Sequence, residues 1–453
     1  MTELSTPVAA STEGHDLEQL HNIVQDLLQQ AKSLGASSAE AAVSSESGFS
    51  VSVRKGDVET IEYNRDKGLG VTVYFDHRKG SASTSDFKPQ SIRDAVRAAC
   101  DIARYTAEDP CAGLADAALL AKAVPDLQLH HPWTLEPEQA VELALGCEQA
   151  AFEVDSRLSN SEGAYVSTHS GQRVYANSHG FFGGYSSSRH SLGCTMIGEQ
   201  DGQMQRDHWY TLARNPDQLE SATVVGQKAG QRTVQRLGAQ KMPTCQVPVI
   251  FSAEVARGLL GHFVRAISGS SLYRKASFLL DSLGQTVFPD SVTLSEQPHL
   301  LQGLGSAPFD SEGVETRARD IVANGLLQGY VLDSYAACQL AMQTTGNAGG
   351  VHNLSMNHSG VDLDALLKTM DRGLFITEVM GQGVNIVTGD YSRGASGFWV
   401  ENGELQYPVE EFTLAGQMAE MFKGIQAIAN DLDRRGNLVT GSWLVEQMSV
   451  AGN

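Results

Sequence analysis

With 13 histidines, six cysteines and 53 acidic residues, metal ligands and general bases are plentiful, so spacing must decide whether any of them form a site. The HExxH pattern is absent; it sets two histidines and a glutamate on one helix face for zinc. His130 and His131 are adjacent and point to different sides of any helix or strand. His352 and His358 flank a polar stretch at a spacing that no familiar ligand set uses. Both pairs read as surface or loop histidines. Cys100, Cys111, Cys147, Cys194, Cys245 and Cys338 form no CxxC pair and no compact framework, which reads as reduced thiols. Without a GxSxG elbow, a serine hydrolase acting alone has no support. Residues 346–350 are glycine-rich but lack the lysine and serine of a phosphate-binding loop.

The segment 252–267 carries more. Ser252 can cap a helix, and Glu254 suits the positive end of its dipole. Val255, Ala256, Leu259, Leu260, Phe263, Val264 and Ile267 fill one arc of that helix. His262 falls just beyond the arc, beside Gly258, Gly261 and Arg265. A lone histidine at the rim of an apolar arc is ordinarily structural.

Hydrophobic periodicity supplies the elements that must position such residues. Residues 1–15 read as a disordered tail. An amphipathic helix follows from a cap at Asp16, with Leu20, Val24 and Leu27 on its apolar face and Gly35 as its stop. A β-meander is expected next, with alternation at Phe49, Val51 and Val53, then strands carrying Val58 and Tyr63 and, separately, Leu69 to Phe75. A polar strand over 81–85 and a helix over 89–104 close a first unit, 16–105. Residues 106–133 read as a linker. A second unit, 134–240, repeats the order: a helix over 136–154, strands between 162 and 210 with turns at 171–172 and 178–180, and a helix over 216–237. From 245 to 452 short apolar strands alternate with glycine-rich turns. The expected class is therefore α+β, with two small helix-plus-antiparallel-sheet units followed by a β-rich C-terminal domain.

Composition narrows the partners. A net charge of −20 argues against a nucleic-acid surface, which needs clustered lysine and arginine. No stretch approaches the roughly 20 apolar residues that span a bilayer, and residues 1–14 lack the pattern of a secretion signal. A cytoplasmic protein without nucleic-acid or membrane partners is the expectation.

The chain resembles the TldD/PmbA family (modulator of DNA gyrase, peptidase U62), in its TldE (PmbA) branch. Residues 257–262 are similar to the helix that carries HExxxH in TldD-type metallopeptidases. The resemblance extends to 68–74 with 79–84, to 176–181, and to 389–399 with 401–404 and 408–413. It implies a metal helix whose ligand, base and ligand positions hold Arg257, Gly258 and His262. Arginine has no lone pair for a metal, and glycine has no side chain to take a proton. TldD-type chains also supply a cysteine near the C-terminus, and here no cysteine follows Cys338. The resemblance thus implies no metal and no catalytic residue in this chain. Zinc is expected in a TldD-type partner subunit, and the pair would degrade small or unfolded peptides, as in peptide-antibiotic maturation and antitoxin turnover. Arg257, His262, Tyr391 and Arg393 are candidate contacts to the peptide channel or the partner. A homodimeric peptide-binding or scaffold protein without enzymatic activity is the alternative.

Overall fold

The computed structural model describes residues 17–452, so the expected tail and the cap at Asp16 lie outside the described residues. The α+β expectation holds. The N-terminal part follows the order α1 (Leu17–Ser33), β1 (Ser38–Arg54), β2 (Asp57–Phe75), β3 (Arg78–Thr84), α2 (Pro89–Tyr105), α3 (Pro137–Phe152), β4 (Leu158–Asn177), β5 (Phe182–Gln200), β6 (Gln203–Ala213) and α4 (Ala222–Gln235). All six strands belong to one antiparallel sheet, ordered β3-β2-β1-β4-β5-β6. The two helix–strands–helix runs therefore meet back to back at the β1–β4 pair.

One face of this sheet is apolar and the other polar, because side chains alternate along each strand. Val43 and Val51 of β1, Val71 of β2, and Val166 and Val174 of β4 face the four helices. They pack with Val24 and Leu27 of α1, Val96 of α2, Ala144 of α3 and Val225 of α4. At the α3–α4 crossing a Cβ on Gly226 would stand 2.0 Å from the Cys147 carbonyl oxygen, so only glycine fits there. The opposite face shows Ser44, Glu46 and Gly48 on β1, paired with Arg173, Gly171 and His169 on β4. Those residues pair in turn with Tyr185, Ser187 and Arg189 on β5.

Three local expectations fail for related reasons. The strands expected at 58–63 and 69–75 are one strand, β2. Its first half lies beyond the end of β3, and the polar run between Asn64 and Lys67 imitates a turn. Residues 171–172 lie in mid-strand rather than in a turn, since the outward face of β4 is polar. The helix expected over 216–237 is a short turn, Pro216–Gln218, followed by α4, which Ser221 caps.

In the C-terminal half a seven-stranded sheet is built on Cys245–Phe251, with Gly373–Met380 and Trp443–Ala451 on either side of it. A smaller five-stranded sheet includes Leu294–Glu296 and Leu354–Met356. Phe263, Phe288, Phe422 and Trp443 centre the largest core. No helix among the described residues is long and apolar enough to cross a membrane.

The reading of six reduced thiols is corrected by a disulfide between Cys111 and Cys338, whose Cα atoms are 5.5 Å apart. At a sequence separation of 227, no spacing pattern connects the two. The fold joins them by laying the 106–133 segment against the helix Ser334–Gln339, where Tyr335 Oη donates to Asp109 Oδ2 at 2.8 Å. Cys100, Cys147, Cys194 and Cys245 are free.

Candidate functional site

The expected helix forms as α5 (Ala253–Ala266). Ser252 Oγ accepts from the Val255 amide at 3.4 Å, and the apolar arc from Val255 to Phe263 is buried. Positions 257 and 262 are five residues apart, about 140° around a helix, so their side chains diverge. A side chain at position 258 would enter open space, with nothing within 4 Å of a Cβ there. His262 sits toward Arg393 and Arg265. Burial, then those two cations, pushes its pKa below the usual histidine value, so the imidazole is neutral at pH 7. Arg393 donates to the carbonyls of Met380 and Val379 at 3.1 and 3.3 Å. Tyr391 is a core residue, 2 % exposed, and its hydroxyl has no hydrogen-bond partner among the described residues. Burial pushes its pKa up to about 12.

Arg257 faces the seam between the two halves. Its guanidinium lies 2.9 Å from Asp433 Oδ2 and also donates to the Arg435 carbonyl at 3.2 Å and to Tyr210 Oη at 3.4 Å. Arg435 holds Asp433 Oδ1 at 2.9 Å and Glu254 Oε1 at 2.7 Å, and its guanidinium lies 4.0 Å over the Trp209 ring and 4.5 Å over Tyr210. Arg232 of α4 adds a second cation to Glu254 and reaches Asp207 at 3.3 Å. Burial alone would raise the Asp433 carboxyl. The hydrogen bonds and charge of Arg435, then the charge of Arg257, outweigh it and hold the pKa below the usual carboxylate value. Sequence reading found Arg257 and Glu254 but missed Asp433, Arg435 and Arg232, which lie far off in the chain and carry no motif.

Beyond Arg257 opens a cleft of about 610 Å³ between the polar face of the N-terminal sheet and loops of the C-terminal half. Gly436 lines it, and a Cβ there would stand 3.6 Å from Arg257 Nη1, so the cleft reaches the helix position that the resemblance singled out. One wall is residues 349–352. This loop is held by Glu296, which is 1 % exposed. Its Oε1 accepts from Asn347 Nδ2 and from the His352 amide, both at 2.7 Å, and its Oε2 from Arg319 Nε at 2.9 Å. His352 is therefore a buried loop residue that packs the wall. Among the described residues, no three His, Cys, Asp or Glu side chains converge as a metal-holding group.

A second carboxyl, Glu312, is half-buried and accepts from the Ser334 amide at 3.0 Å. Burial is the main reason that the Glu312 pKa is raised to about 7. Asp310 and Asp333 add to the rise, and hydrogen bonds from Ser334 oppose it. The folded chain thus holds this proton between pH 4.5 and 7 while the unfolded chain releases it. Stability contributed by the neutral form is full below the unfolded value and falls as pH rises through 7. Glu312→Gln is expected to remove that decline, worth about 3 kcal/mol at most. Urea midpoints of both proteins at pH 5, 6, 7 and 8 measure it. The variant should gain on the parent as pH rises.

Three family models cover most of the chain. Domain 1 of the PmbA/TldA metallopeptidases matches residues 39–103, their central domain 130–237 and their C-terminal domain 244–452. The chain belongs to the PmbA/TldD family. It is 51 % identical over 414 residues to the metalloprotease PmbA of Escherichia coli O157:H7, covering 91 % of this chain and 92 % of that one. A solved Bacteroides thetaiotaomicron protein described as a modulator of DNA gyrase superposes with a TM-score of 0.91 at 28 % identity, over 97 % of this chain and all of its own. TldE of Thermococcus kodakarensis shares the fold, with a TM-score of 0.83 at 20 % identity, over 94 % of this chain and 99 % of its own.

Proposed function

We propose that this chain is the metal-free subunit of a two-chain peptidase whose zinc and catalytic base lie in a TldD-type partner, and that the pair degrades small or unfolded peptides in the cytoplasm. The observation that carries this reading is the state of Arg257. The residue at the family's first ligand position is a cation already engaged by Asp433. A catalytic zinc generally wants three protein ligands. Here Gly258 offers no base, and His262 lies near two further cations, Arg393 and Arg265. The ion-pair network of Arg257 with Asp433 supports this reading.

The first half of β2 supports a subunit role. Among the described residues it has no neighbour on its outer side, and Val58, Ile61 and Tyr63 are exposed along it. Open strand edges with apolar side chains are surfaces that proteins ordinarily cover. A homodimer covering the same edge is the second reading, and gel filtration with and without the TldD-type chain separates the two.

Metal analysis by mass spectrometry tests the central claim. The purified chain should hold no zinc, the mixture with its TldD-type partner about one per heterodimer, and omission of this chain should abolish peptide cleavage. His262→Ala should leave zinc content unchanged. Stoichiometric zinc on the chain alone, lost in His262→Ala, would make it an enzyme in its own right.

A further inference from the structure

Arginines at the seam mostly meet carboxylates: Arg232 with Glu254, Arg236 with Glu378 and Arg257 with Asp433. In a chain of net charge −20 that is the expected outcome. The cleft departs from it. Arg173, Arg189 and Arg214 all line it, together with His169 and His352, against a single carboxylate, Glu46. None of the three arginines makes an ion pair among the described residues. Arg214 is held by backbone alone, donating to the carbonyls of Gly303, Leu304 and Ser188 at 2.9, 2.9 and 3.2 Å. Among the described residues the Arg173 guanidinium reaches only Ser311 Oγ, at 3.2 Å. The Arg189 side chain is exposed and has no hydrogen-bond partner among the described residues. Burial holds the Arg214 pKa below its usual value, and the nearby Arg189 charge adds to that. Holding Arg173 and Arg214 part-buried without a carboxylate is unfavourable unless an anion joins them.

We propose that this cleft binds the carboxylate of an extended peptide, with Arg189 and Arg173 as its recognising forks and Arg214 fixing the wall between sheet and loop. The peptide as ligand class rests on the function proposed above; the need for an anion rests on the arginines themselves. Register supplies the dimensions. Arg189 lies opposite His169 on β4, and Arg173 is four positions further along that strand. At about 3.3 Å per residue the backbone positions that carry the two arginines are roughly 13 Å apart along the strands. A segment of about four extended residues spans that distance, over a floor whose middle row is Gly171 and Ser187. Arginine suits the task because its planar fork meets both oxygens of a carboxylate at once.

Fluorescence anisotropy on the full chain alone, without partner or metal, tests this. The probe is a fluorescein-labelled alanine–serine hexapeptide, as the free acid, as the C-terminal amide, and as an amide carrying two internal glutamates. The free acid should bind at least tenfold more tightly than the plain amide. Arg189→Gln and Arg173→Gln should each weaken it about tenfold, with Arg189→Lys recovering part of the loss. If the glutamate-bearing amide binds as the free acid does, the carboxylate recognised is a side chain's and the site stands. Equal binding of acid and plain amide overturns the proposal, as does undiminished binding by both glutamine variants with unchanged circular dichroism. So does displacement by inorganic phosphate at lower concentration than by acetate, which would make this a phosphate site. If no peptide binds while the chain still assembles with a TldD-type partner, the cleft proposal falls and the subunit reading survives.

Discussion

Asp433→Asn is expected to lower the unfolding free energy by about 3 kcal/mol at pH 7, because removing one partner of a buried pair strands the charges left behind. The Asp433 side chain is 3 % exposed, and those of Arg257 and Arg435 are 25 % and 13 % exposed. The asparagine keeps the shape, so the change isolates the charge. Arg435 retains Glu254, whereas Arg257 loses its sole carboxylate among the described residues. The pH dependence fixes the cause. The folded carboxyl titrates below its unfolded value of about 3.8, so the stabilisation is present above that value and is lost as pH falls through the folded pKa. The difference between parent and variant in urea midpoint should therefore be constant from pH 5 to 8 and shrink below pH 4. A variant within 0.5 kcal/mol of the parent, about what an exposed pair contributes, would mean that water reaches this seam and that the network does not hold the halves together. An engineered Arg257→His would likewise leave Asp433 and Arg435 to settle between themselves, so a zinc ligand is not restored by one substitution.

What could be read in the sequence follows from the range of the interactions. α5 was legible because Ser252, Glu254 and the apolar arc from Val255 lie within a few helical turns. The repeated helix–strands–helix order was legible for the same reason, but its closure into one sheet was not. That closure depends on β1 pairing with β4, Glu40 opposite Asn177, across more than a hundred residues. Polar strand faces misled twice, at Asn64 to Lys67 and at Gly171 with Gln172, since a strand that turns serine, glycine and charge toward a cleft looks like a turn. Arg257 was found by resemblance, yet its meaning depends on Asp433, and nothing local to Asp433 signals that role. The Cys111–Cys338 link was hidden in the same way. The cleft arginines show the limit most plainly. Arg173, Arg189 and Arg214 sit on three strands or their ends, and only the register of β4 on β5, with Arg214 at the end of β6, brings them to one face.

Glu296→Ala is expected to cost about 3–5 kcal/mol and to loosen the cleft wall, a larger combined effect than any other single change at the site. Three donors converge on this carboxylate, and Arg319 also reaches Asn347 Oδ1 at 2.7 Å, so alanine leaves a part-buried guanidinium, an amide and a backbone N–H short of partners at once. Each unsatisfied buried donor costs roughly 1–3 kcal/mol, and the charged one more. Because Asn347 and His352 bracket the wall, the loss should be local as well as global. Amide exchange over residues 346–353 should accelerate beyond what the drop in global stability predicts, while exchange in β1 and β4 follows that drop alone. Glu296→Gln separates charge from hydrogen bonding: it can still accept from Asn347 and the His352 amide, but it leaves Arg319 without its anion. If glutamine is nearly as costly as alanine, the ion pair with Arg319 carries the loop. If it recovers most of the loss, the two neutral donors do, and the wall is held by the backbone contact that also positions His352.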